Sequence, residues 1–493
     1  MDNSRVTAND AVGQVEEAGI ECLPEEGRTS RPRNLFYVFV GLNFSWAVVV
    51  YGWLPMTFGL TFWSAAVSMT LGIVVGSLFT MWVALLGPRT GTNMTVSSGA
   101  HYGVRGRLIG TGLTVLGTLV YTAVTVWTSG DAVVASGHRL FGLADNNWVR
   151  AVTYGIITVL FIVIALYGHA TIVATQKVIT VVVGIALVAG VFAFAGSFDA
   201  SRSAGEYALG SYWQTWVLSF VLGVAGPVSY ATIIGDYSRR ISRTRFSDRQ
   251  VLTAIAGGLI VGEVIPMVFG MFTAAAFIET SDSYMFDLVG NAPGWYVLPI
   301  LIVGVLGGLG QGVTSMYGTG LDLESLLARL SRVQTTIIAA VLSIVLVFLG
   351  VFAFDAADAF ATVTVFLNAI TVPWVAVLVA AAIRNRNRDY DLHDLQAFAQ
   401  HRHGGRYWFT AGWNLPALIA WFSGALVGAL AVNTGSFKGP LADAFGGIDL
   451  TTLGSGLIAL VVYGIAIAVV PDRVDGPVKQ LVPSPAASPT VVP

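Results

Sequence analysis

Charge is what this chain has least of. Asp, Glu, Lys and Arg make up 11% of its 493 residues, against about a quarter in a soluble domain. In their place 55% of residues are hydrophobic, and the mean hydropathy is +0.72. This excludes an ordinary water-soluble fold and points to a polytopic membrane protein. The net charge of −2 carries no nucleic-acid signature. Cysteine is nearly absent: Cys22 alone excludes an intrachain disulfide and a multi-cysteine metal site. There is no Walker P-loop to argue for ATP-driven transport. No nucleophile–base set stands out, so no enzyme is expected. His401-Arg-His403 lacks a third ligand, so no metal or cofactor is expected. The basic-then-apolar order of a signal peptide is missing as well. Residues 1–33 are acidic and polar (Glu16, Glu17, Glu21, Glu25, Glu26) and read as a disordered cytoplasmic tail. Residues 471–493, rich in Pro and small residues, read the same way.

What the chain does have is apolar runs of membrane-spanning length. They fall at about 35–55, 58–86, 108–136, 149–168, 176–197, 212–236, 251–278, 295–320, 334–354, 359–383, 409–432 and 451–470. The fold class expected is therefore all-α, with about twelve transmembrane helices. With the N-terminus inside, the outer segments hold just Arg139, Arg150, Arg202 and Lys438, and the other 22 of the 26 basic residues lie inside. This asymmetry orients the chain in the plasma membrane with both termini cytoplasmic. Residues 34–383 form a transport core of ten spans, 384–408 a basic cytoplasmic loop and 409–470 the last two spans.

Two spans carry interruptions. Span one has Asn43-Phe-Ser45-Trp46 and Gly52. Span six has Gly226-Pro227, followed by Ser229, Tyr230 and Thr232. Proline removes a backbone donor, so span six is expected to bend or break there. In lipid such a break is tolerated where it faces protein or a watery cavity. Each interrupted span opens a block of five, one to five and six to ten. Interruptions in corresponding positions of two halves point to an inverted repeat with a binding site at the midplane.

Other polar residues lie inside the spans. In span three, Thr118, Thr122, Thr125 and Ser129 share one helical face beside Tyr121. They suit a cavity stripe or bonds back to their own helix. Span eight places Gln311, Thr314 and Ser315 among Gly307, Gly308, Gly310 and Gly312. These glycines permit close helix approach or an irregular backbone. Glu263 lies near the midplane of span seven. An intramembrane carboxyl is a functional candidate by default, here for proton coupling, with an interhelical structural bond as the alternative. Asp236, at the inner end of span six, is expected to pair with Arg239 or Arg240.

Four segments carry a family resemblance. They are LNFSWAVVVYGWLPMTFGLTFW with LGPRTGTNMTVSSGAHYGVRG, then GPVSYATIIGDYSRRIS, then MYGTGLDLES, then FLNAITVPWVAVLVAA with RYWFTAGWNLPALIAW. In this order and at these spans the chain resembles the nucleobase:cation symporter-1 family, in its purine–cytosine permease branch, over about residues 34–470. The resemblance implies a five-plus-five inverted repeat of the leucine-transporter type with two added helices. It also implies symport of a small planar nitrogen heterocycle, cytosine- or purine-like, driven by Na⁺ or H⁺. The substrate residues implied are Phe44, Trp46, Tyr121, Thr125, Gly226, Ser229, Tyr230, Gln311 and Thr314. The cation ligands implied are the backbone carbonyls of Ala47 and Val50 and the hydroxyls of Thr314 and Ser315. The family's span-eight asparagines are missing here, which leaves hydantoin, allantoin or a vitamin-like heterocycle open as substrate. A non-transporting receptor is the reading from a different class, and the short tails argue against it.

Overall fold

A computed structural model of the chain describes residues 12–14, 19–203, 205–277, 283–327, 330, 332–352, 356–400, 402–433, 437–444 and 451–470. The expected C-terminal tail and His401 lie outside these residues. Span one is α1 (Pro32–Asn43) and α2 (Trp46–Thr57), and span two is α3 (Phe62–Thr80). Two short helices follow, α4 (Leu86–Thr90) and α5 (Met94–Tyr102). Spans three to five are α6 (Arg107–Phe141), α7 (Asn147–Leu166) and α8 (His169–Phe194). Span six is α9 (Tyr212–Ser229) and α10 (Ile234–Ser238), and span seven is α11 (Asp248–Ala274). After the short α12 (Tyr284–Asn291) come α13 (Gly294–Leu326), α14 (Arg332–Phe352) and α15 (Ala356–Arg384). A single turn, α16 (Leu392–Leu395), precedes α17 (Leu415–Ala431) and α18 (Leu453–Val469).

Among the described residues nine helices are long and apolar enough to cross a membrane, and the bent pair α1/α2 makes a tenth span. The helices α17 and α18 are shorter and equally apolar, which is consistent with twelve spans. The packing shows the repeat. Span two (α3) lies on span six (α9), and its counterpart span seven (α11) lies on span one (α1 and α2). Spans three and eight (α6 and α13) lie on each other, each preceded by a short helix, α5 and α12. This reciprocal arrangement is what an inverted five-plus-five repeat requires. The helices α17 and α18 pack on α15 and on each other.

The break in span one falls at the expected polar interruption, with a bend of 63°. Phe44 leaves the helical region, and extended Ser45 caps α2 by accepting from the Val48 N–H. The break in span six falls later than expected. Pro227 sits inside α9, and the interruption is a 3₁₀ turn at Tyr230–Thr232. Two hydroxyls stabilise this stretch by occupying backbone carbonyls: Ser229 donates to Gly226 O and Thr232 to Ser229 O. Span eight is continuous, so its glycines serve close packing. A Cβ on Gly307 would stand 2.6 Å from the Phe44 carbonyl, and one on Gly312 would stand 2.1 Å from the Phe161 ring.

Residues 19–31, expected within a disordered tail, are packed against the arginine-rich face. Leu23 and Arg28 are buried. The Arg28 guanidinium donates to Leu23 O and Pro88 O, and the Gly19 carbonyl accepts from Arg239. The composition of this stretch hides the few residues that anchor it.

Candidate functional site

The two breaks face each other across a cavity of two adjoining recesses, whose shared walls are Tyr121, Ser229, Tyr230 and Gln311. One recess, about 450 Å³, reaches Asn43, Ala47, Tyr51, Gly226 and Glu263. The other, about 530 Å³, reaches Thr118, Thr232, Ser315, Asn368 and Thr371. No Lys, Arg or His is among the described lining residues.

Hydrogen bonds tie the walls together. The Tyr230 hydroxyl donates to Asn43 Oδ1 at 2.7 Å, joining the two breaks. Asn43 in turn donates to Phe39 O at 2.8 Å. The Ser45 hydroxyl donates to Gln311 Oε1 at 2.7 Å, leaving the Gln311 NH₂ as the donor it can offer a ligand. Tyr230 also packs edge-on against Phe39. Glu263 is fully buried, and neither carboxyl oxygen has a hydrogen-bond partner. Its Oε2 lies where a Cβ on Gly226 would come within 2.5 Å, so a glycine is what lets the carboxyl reach the span-six break.

Of the residues expected at the substrate, Tyr121, Gly226, Ser229, Tyr230 and Gln311 line this cavity. Four are placed elsewhere. Trp46 is fully buried against Phe269, with its indole N–H on Ile300 O. Phe44 packs against α8, its ring 3.3 Å from the position a Gly184 Cβ would take. Thr125 is fully buried and donates to Tyr121 O in its own helix. Thr122 likewise donates to Thr118 O and Thr118 to Thr114 O, so the three threonines of the span-three stripe bond back to α6 while the buried Ser129 hydroxyl has no partner, and Thr118 is the one that reaches the cavity wall. Thr314 faces α8: its hydroxyl accepts from Gln176 Nε2 at 2.8 Å and donates to Gly310 O at 2.7 Å.

Of the four residues implied for a cation, Ala47 lines one recess and Ser315 the other, the Thr314 hydroxyl lies in the α8 seam, and the Val50 side chain packs in the apolar cluster around Trp46. Asp236 accepts from the Met94 N–H at 2.8 Å and interacts electrostatically with Arg239, one of the two arginines expected to pair with it. Sequence reasoning missed Asn368 and Tyr51. Asn368 is a lone amide in the apolar run FLNAITV, the same signal that singled out Glu263.

A third recess, on the arginine-rich face, is lined by His101, Arg388, Arg406 and Tyr407. Burial lowers the His101 pKa to about 4, so the ring is neutral, and Nε2 meets the Tyr390 hydroxyl at 3.2 Å. Asp391, His393 and Asp394 lie close together nearby. Their carboxylates are used locally, Asp391 by the Asp394 N–H and Asp394 by the Arg406 N–H.

Comparison with known proteins adds the following. A family profile described as "Permease for cytosine/purines, uracil, thiamine, allantoin" matches residues 22–453. YxlA of Bacillus subtilis (strain 168), which carries the name of a purine-cytosine permease, is 24% identical over 453 residues, covering 89% of this chain and 92% of its own length. Mhp1, described as a nucleobase-cation-symport-1 family transporter, in a closed conformation with bromovinylhydantoin bound, superposes with a TM-score of 0.72 at 18% identity. That match covers 92% of this chain and 95% of Mhp1. A Na⁺-coupled sialic acid symporter superposes at 0.59 with 12% identity, covering 97% and 96% of the two chains.

Proposed function

Because the chain belongs to the family of permeases for cytosine and purines, uracil, thiamine and allantoin, we propose that it imports a nucleobase or related planar nitrogen heterocycle across the plasma membrane by symport, with both termini cytoplasmic. One observation carries this reading: a cavity between two broken spans, lined by Tyr121, Tyr230, Gln311 and Asn368, with no basic side chain among its described lining residues. A carboxylate or phosphate substrate would want a cation there. A flat neutral ring wants aromatic faces to stack on and amides or hydroxyls to read its edges.

The coupling ion of this proposal is a proton. The Thr314 hydroxyl, implied for a sodium site with Ser315, already donates to Gly310 O and accepts from Gln176, which leaves it one lone pair. Glu263 borders the cavity with neither oxygen bonded. Alternating access then amounts to rocking one set of helices about a site fixed at the breaks.

The test is uptake of labelled cytosine, uracil, adenine, guanine, hypoxanthine, allantoin and a hydantoin in permease-deficient cells, each with Na⁺, without Na⁺ and with a protonophore. Saturable uptake of at least one ring, lost with the protonophore and indifferent to Na⁺, is expected. Uptake that requires Na⁺ would return the coupling role to Thr314 and Ser315. No saturable uptake from cells with normal membrane expression would sink the transporter reading.

A further inference from the structure

Glu263 is the one acid or base, tyrosines aside, among the described residues lining the cavity. The polar groups around it are engaged. Asn43 is held by Tyr230 and Phe39, the Gln311 carbonyl by Ser45, and the Ser229 hydroxyl by Gly226 O. The ionisable neighbours facing it are Tyr51 on α2, Tyr121 on α6 and Tyr230 after α9, and none is basic. A buried carboxyl with both oxygens unpaired is costly. The cavity is the side from which a partner can reach it.

We propose that Glu263 binds the edge of an aminated heterocycle on which a ring nitrogen adjoins an exocyclic amino group, and that the coupling proton sits in that same pair of hydrogen bonds. This rests on the transporter reading above. The chemistry is that of a carboxyl facing an amidine. The carboxyl O–H donates to the ring nitrogen, and its carbonyl oxygen accepts from the amino N–H. Moving the proton across breaks the O–H bond, forms a ring N–H⁺ and leaves a carboxylate, with no atom gained or lost. In either form the complex holds one proton that neither a lone carboxylate nor a lone neutral ring carries. Substrate and proton are then bound, and released, together. A keto ring with N–H beside C=O pairs with the neutral acid but has no basic nitrogen to share the proton. The Gln311 NH₂, in the same recess, is a donor for a ring carbonyl. An amino-oxo ring satisfies both.

The experiment compares matched pairs, cytosine with uracil and adenine with hypoxanthine, as competitors of the best labelled substrate. It uses the full-length wild type, Glu263→Gln and Glu263→Asp at pH 6 and pH 8. The wild type should favour the amino member of each pair by about tenfold or more, the scale of a hydrogen bond to an ionisable group. That preference should shrink at pH 8. Glu263→Gln should bring the pair to near equality and remove the pH effect, while Glu263→Asp retains part of both. An undiminished preference in Glu263→Gln, or a wild type that favours the keto members, overturns the proposal and leaves the transporter reading standing. If Glu263→Gln fails to reach the membrane, the wild-type ratio at the two pH values decides: a ratio unmoved by pH overturns it. If no ring competes or is carried, both readings fall.

Discussion

Two buried polar regions, one in a helix seam and one at the cavity, handle their side chains in opposite ways. In the seam between α8 and α13, Gln176 donates to Gly310 O at 2.7 Å and to the Thr314 hydroxyl at 2.8 Å, and Thr314 closes the triangle onto Gly310 O. Tyr237 adds a bond to Thr314 O at 3.0 Å. What remains is Gln176 Oε1, set against Gly41 without a donor. On α11, across the cavity, Glu263 has no bond at all. The seam is a structural crosslink in which an amide and a hydroxyl satisfy the backbone locally. The carboxyl is the group left for a visitor. Polarity inside a membrane span marks function when the group faces a cavity unpaired, and marks packing when it does not.

The contrast is broken most strongly at Glu263. Glu263→Gln should lower initial uptake rates by about 10–100-fold, the range of hydrogen bonds to charged groups, with the thermal unfolding midpoint of the purified protein unchanged or raised. A lowered midpoint would make Glu263 structural. The second effect sits beside it. Gly226→Ala puts a Cβ 2.5 Å from Oε2 and should reduce uptake by about tenfold, as overpacking costs of about 1–3 kcal/mol imply. Normal uptake in this variant would mean the carboxyl has another resting place.

The seam should fail in the other way. Gln176→Ala should cost about 1–3 kcal/mol of stability, the scale of leaving buried partners unmatched. It should leave the ranking of competing substrates as it was. Thermal unfolding and competition assays on the same preparation separate the two, and a changed ranking would move Gln176 into the site. Tyr230→Phe removes the link to Asn43 and should weaken apparent affinity by about 2–10-fold. The smallest effect is expected of Thr125→Val. Its hydroxyl already bonds its own helix, so uptake should stay within about twofold, since such back-bonding contributes little to helix stability. A larger loss would restore Thr125 to the substrate.

Much of the architecture was legible in order of residues alone. The apolar runs, the interruption at Asn43 to Trp46 and the two blocks of five reappear as helices, a 63° bend and reciprocal packing. The site was legible in part. Tyr121, Ser229, Tyr230 and Gln311 were named and line the cavity. Trp46 and Phe44 were named for the break they occupy, yet a break has an inner and an outer side, and their rings fill the outer one. The 3₁₀ turn three residues past Pro227 was not legible either, because the position of a break depends on which hydroxyls find carbonyls after the proline has loosened the helix.

The sequence by itself determined the solvent, and through it the class of fold. A chain this apolar must bury its backbone polarity in helices, and its basic residues must gather on one face. What the tertiary structure alone decided is which buried polar groups are paired. The partners come from far along the chain: Gln176 and Thr314 are 138 residues apart, Tyr230 and Asn43 are 187, and Ser45 and Gln311 are 266. No local pattern encodes such pairs, because a hydrogen bond needs its two atoms within about 3 Å in a set geometry. Helix packing delivers that for Thr314 and withholds it from Glu263.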